Sequence, residues 1–74
     1  MENQTRFVIC TNNQDYPASL ERWKVYRVVA DEKAEKRGLL RITDESGEDY
    51  LYSAQDFAAI KLPKNVEKDY LALV

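Results

Sequence analysis

Leu39-Leu40-Arg41-Ile42-Thr43-Asp44-Glu45-Ser46-Gly47-Glu48-Asp49-Tyr50-Leu51-Tyr52 is the stretch around which the rest of the chain is arranged. Leu40 and Ile42 lie two apart on one face of a first run, and Tyr50, Leu51 and Tyr52 form a second. Branched and aromatic side chains suit a pleated, half-buried surface. Asp44 fits the first position of a tight turn, where its carboxylate can accept the N–H two residues on. Gly47 fits the left-handed position that follows, because it has no Cβ to clash. The stretch is therefore read as a β-hairpin with a three- to five-residue loop. Its second strand leaves one choice open: Tyr50 and Tyr52 share a face and Leu51 takes the other, so either set can point inward.

Seventy-four residues make one domain with a thin core, since a chain this short buries only ~60% of its unfolded surface. Apolar residues are 45% and charged residues 32%, a globular composition. The 11 basic and 13 acidic residues are interleaved and leave a net charge of −2, which argues against affinity built on phosphate neutralisation. Histidine is absent and cysteine occurs once. That removes His-activated nucleophiles, the common zinc sites and any intrachain disulfide. No cofactor or metal is expected. The single cysteine, the lack of a signal-like start and the lack of an apolar run of ~20 residues point to the cytoplasm.

Working outward, Phe7 to Cys10 reads as a first strand buried on both faces, and Met1 to Thr5 as a frayed polar end. Cys10, in an apolar strand, reads as an inert core thiol. Thr11 to Asp15 are turn formers, and Pro17 places its neighbours in a loop or edge. Leu20 to Val29 reads as the longest strand, bent because its apolar residues change sides partway. Asp31 to Gly38 reads as a short solvated helical insert, capped by Asp31 and ended by Gly38. Ser53 to Asp56 reads as a short turn, Ala59 to Leu62 as the last strand, and residues 64–73 as a helix led by Pro63.

This order of elements resembles the SH3-like barrel superfamily over roughly residues 6 to 62. A bent second strand ends in Tyr26-Arg27-Val28-Val29, a tight hairpin follows, and Tyr50 to Ile60 is similar to the closing strand, 3₁₀ turn and final short strand of those domains. The block Gly47 to Tyr52, with Tyr26 and Phe57, also looks like small uncharacterised bacterial proteins of this shape. The resemblance implies a mainly β fold: a small five-stranded SH3-like barrel with a short helical insert and a C-terminal helix. It does not imply PxxP recognition. The Ala-Leu-Tyr-Asp-Tyr type opening and the tandem tryptophan are missing, and the closing turn reads Ser53-Ala54-Gln55-Asp56-Phe57.

The expected function is a non-enzymatic binding module for a protein or peptide, with Trp23, Tyr26, Tyr50 and Tyr52 as the contact surface. That surface requires exposure: burial of Tyr50 and Tyr52 removes it. The alternative is a nucleic-acid-binding small barrel using Arg22, Lys24, Arg27 and Arg41. A carboxylate cluster at Asp44, Glu45, Glu48 and Asp49 does not follow the twelve-residue calcium-loop pattern and reads as a solvated turn. Homo-oligomerisation through sheet edges or through the C-terminal helix is compatible with each reading.

Overall fold

The computed structural model describes residues 6–72. Five strands form one antiparallel sheet: β1 (Arg6–Cys10), β2 (Val25–Val29), β3 (Leu39–Thr43), β4 (Asp49–Ser53) and β5 (Phe57–Ile60), in the order β4-β3-β2-β1-β5. Helix α1 (Glu32–Lys36) lies between β2 and β3, a 3₁₀ turn (Ala54–Asp56) between β4 and β5, and α2 (Lys64–Ala72) closes the described chain. The expected frayed end at residues 1–5 and the expected helix end at Leu73 lie outside the described residues.

The strand registers sort the side chains. Val8, Tyr26, Val28, Ile42, Tyr52, Cys10 and Phe57 share the inner face, and Leu20 joins them from the loop before β2. Their mutual burial is the main stabilising term in so small a domain. Cys10 is fully buried, and burial pushes its thiol above the ordinary range, so it sits as a small apolar filler. On the outer face, Phe7 meets the Tyr70 ring edge-on at 5.2 Å, and the Tyr70 hydroxyl donates to the Val25 carbonyl at 3.0 Å. This is how α2 is held to the sheet.

Two expectations are corrected. The strand read over Leu20 to Val29 begins only at Val25, because the chain turns at Glu21–Lys24 and Trp23 takes a left-handed φ of 70°. The last strand lies at Phe57–Ile60 rather than Ala59 to Leu62; the 3₁₀ turn ends at once in Phe57, whose ring enters the core. Among the described residues β4 and β5 are the two edges of the sheet and no ladder joins them. The first strand is buried on both faces, by Phe7 on one and by Val8 and Cys10 on the other, with Ile9 half-buried and the exposed Arg6 added at its start.

The hairpin and the helical insert are found where expected. In the hairpin loop Gly47 has φ 85°, and the Asp44 carboxylate accepts from the Ser46 N–H at 2.9 Å. The Asp31 carboxylate caps α1 through the Ala34 N–H at 3.1 Å, and Gly38 has φ 78°. The open choice on β4 resolves with the tyrosine face inward: Tyr52 is buried and Leu51 is exposed. Tyr50, on the same face as Tyr52 but nearer the hairpin tip, runs past the edge of the core and is exposed.

A candidate binding site at the Trp23 turn

The chain between β1 and β2 must reverse and re-enter the sheet. It does so through a turn in which the Lys24 N–H points at the Glu21 carbonyl at 3.3 Å. Cys10 then faces two residues: its carbonyl accepts from the Trp23 N–H at 2.6 Å, and its N–H donates to the Lys24 carbonyl at 2.9 Å. Two residues opposite one, with the first left-handed, is a glycine-type β-bulge. Glycine or asparagine is the usual occupant of such a slot. Here a tryptophan fills it, at a backbone cost of ~1–2 kcal/mol.

The surroundings hold the turn on every side. Leu20 is fully buried just before it. The Glu21 N–H donates to the Tyr26 hydroxyl at 2.7 Å. Arg22 Nε donates to the Thr11 carbonyl at 3.0 Å. Lys24 Nζ pairs with Glu45 Oε2 at 2.7 Å. A strained residue persists only where its neighbours over-determine it, and that condition is met here.

Trp23 itself is 61% exposed. The Arg22 guanidinium lies 5.3 Å from its ring centroid, so one face of the indole meets a cation and the rest meets solvent. An apolar ring with an N–H donor beside a planar cation offers contact area, one hydrogen-bond donor and attraction for carboxylate or carbonyl oxygen.

Beneath the turn lies a carboxylate–phenol network. The Tyr26 hydroxyl donates to Glu45 Oε2 at 2.6 Å, and the Tyr52 hydroxyl donates to Asp44 Oδ2 at 2.5 Å. Asp44 is buried and also accepts from Ser46 Oγ at 2.6 Å. Burial alone would raise its pKa; the bonds from Ser46 and Tyr52 outweigh that and hold it low. Glu45 is held low by Lys24 first and then Tyr26. Both phenols move the other way, chiefly through burial, with Tyr52 pushed up to about 12. The Glu45 N–H donates to the Ser19 carbonyl at 3.0 Å, so the hairpin loop and the Trp23 loop form one unit.

The four aromatic residues expected to form a surface divide into two pairs. Tyr26 and Tyr52 lie in the core and act through their hydroxyls; Trp23 and Tyr50 are exposed. The basic residues also divide. Lys24 is tied to Glu45, Arg41 to Asp31 at 2.9 Å and to Asp49 at 3.3 Å, and Arg22 is engaged by Thr11 and Trp23. Arg27 is half-buried on the outer face. The hairpin carboxylates go to separate partners, and among the described residues no three metal-ligating side chains converge. Sequence reasoning missed Tyr16, an exposed ring set edge-on to Tyr52 at 5.0 Å. Its only signal was a position beside Pro17. No helix is long and apolar enough to cross a membrane among the described residues. Comparison of the chain with family models, with curated proteins and with solved structures found no match.

Proposed function

We propose that this chain is a small non-enzymatic binding module, of the SH3-like barrel kind, that holds a protein or peptide partner against Trp23. The posture of Trp23 carries the reading. A large apolar ring is kept in water, in a backbone conformation that disfavours it, by a turn fixed on both sides. Such an arrangement costs the folded state and returns nothing to its core, and strain of this type concentrates where ligands are clamped. The SH3-like kinship is supported by the strand order, in which β1 lies between β2 and β5 in an all-antiparallel sheet, and by the 3₁₀ turn between β4 and β5.

The test is capture on the immobilised full chain from a lysate of its source cells, with Trp23→Gly in parallel. The reading predicts a protein retained by the wild type and at least ~10-fold depleted on the variant, the loss usual for a central aromatic anchor. Equal retention on both would contradict it.

A further inference from the structure

We infer that β4 is a self-association edge, and that its partner is a second copy of this chain paired antiparallel about a two-fold axis at Leu51. The β3–β4 ladder continues at both ends, with the Ala54 N–H on the Gly38 carbonyl at 2.9 Å and the Asp44 N–H on the Glu48 carbonyl at 3.0 Å. Residues in an antiparallel pair alternate between bonded and unbonded positions. Within the register Leu39↔Ser53 to Thr43↔Asp49, Tyr50 and Tyr52 therefore turn their backbone groups toward β3. Asp49 and Leu51 turn theirs toward the free edge, as does the Ser53 N–H. Among the described residues no other strand lies on that side.

The composition of this edge sets it apart from the other. An edge is kept single by lysine, proline, bulges or shortness. β5 has four residues and is followed by Lys61 and Pro63. Its Phe57 N–H is already given to the Ala54 carbonyl. β4 has five residues, no lysine, no proline and no bulge, and its one charged side chain, Asp49, is paired with Arg41 at 3.3 Å. It also carries two adjacent exposed apolar side chains, Tyr50 at 50% and Leu51 at 41%.

The register that pairs the whole of β4 with its own copy is self-complementary. Leu51 meets the partner's Leu51 on the axis, in a position that exchanges both backbone bonds. The Ser53 N–H meets the carbonyl of the partner's Asp49, so no two like charges stand opposite. Tyr50 comes to lie against the partner's Tyr52 and its neighbour Tyr16, where its exposed ring is covered. The result is an isologous, closed dimer with one continuous sheet. A contact of one short strand per copy falls below the ~800 Å² per partner of a standard interface, so the dimer forms only at high concentration.

Sedimentation equilibrium of the full chain from about 10 µM to about 1 mM tests this, with Leu51→Glu alongside. Arg41 faces position 51 across the β3–β4 ladder, so the new carboxylate is accommodated within one copy. Across the axis it opposes its own like charge. The wild type is expected to shift from monomer to dimer over that range, and the variant to need ~10-fold higher concentration. A wild type that stays monomeric throughout, or a dimer unchanged by Leu51→Glu, overturns the inference. Oxidative cross-linking supplies an independent reading: Leu51→Cys should link into a disulfide dimer and Lys61→Cys should not, since paired Cα atoms ~5.5 Å apart suit a disulfide. Preferential linking through Lys61→Cys would place the contact at β5 and overturn the assignment.

Discussion

Asp44 is the residue on which the hairpin loop depends. It is the one buried charge in the protein's interior among the described residues, and each of its oxygens has a donor. Asp44→Ala leaves the buried Tyr52 hydroxyl without its acceptor and removes the turn's internal bonds, an expected loss of ~2–3 kcal/mol in urea unfolding. The acid limb follows from the same groups. Asp44 and Glu45 hold protons less tightly when folded than when unfolded. The unfolded chain then binds more protons as pH falls, so their contribution is present at neutral pH and is lost below the ordinary carboxylate range. Tyr52 has the opposite sign. Its raised pKa makes the folded state retain a proton that the unfolded state gives up, so stability declines as pH rises from about 10 toward about 12. A pH series of urea midpoints should show both limbs, and Asp44→Asn should flatten the acid one. Alternation alone could not show which residues of β4 face inward, because Tyr50 and Tyr52 share a face yet end in different environments. What separates them is distance from the hairpin tip, which depends on where the core ends.

At the scale of elements, the hairpin, the helical insert and the 3₁₀ turn were legible because each carries local chemistry: Asp44 with Gly47, Asp31 with Gly38, and the cap in which the Ser53 side chain accepts from the Gln55 N–H. The start of β2 was not legible. A left-handed residue is normally announced by glycine or asparagine, and Trp23 announces a strand instead. Whether β4 pairs with β5 was illegible for a different reason: it is a long-range matter that no local signal in either strand decides. The helix α2 was legible by its spacing, and its dependence on the sheet is testable. A nine-residue helix is marginal alone in water. Tyr70 supplies both the ring contact with Phe7 and the bond to Val25. Tyr70→Ala should therefore reduce helical circular dichroism while amide exchange in β1 to β4 stays slow. A simultaneous loss of sheet protection would mean that α2 is part of the cooperative core.

At the scale of the whole molecule, the core and the candidate site rest on different residues of one aromatic set. Tyr26, Tyr52 and Phe57 fill the interior, with ring pairs at 6.5 Å and 6.1 Å. Trp23, Tyr16 and Tyr50 stay outside. The network of Lys24, Glu45, Tyr26, Asp44 and Tyr52 joins the two groups and makes the Trp23 turn rigid. On the proposed reading, this rigidity lowers the ordering cost of binding at Trp23. In sequence terms the aromatic set was legible and its division between core and surface was not, since an aromatic ring reads alike in either place.

If Trp23 is present for contact and not for folding, the fold should do as well without it. The decisive measurement is the unfolding free energy of Trp23→Gly against the wild type in urea at neutral pH. Glycine accepts the left-handed φ and gives up only a ring that is mostly in water, so stability should be unchanged or higher by up to ~1 kcal/mol. A loss of ~1 kcal/mol or more would show that Trp23 supports the fold itself, and would contradict the account at its centre.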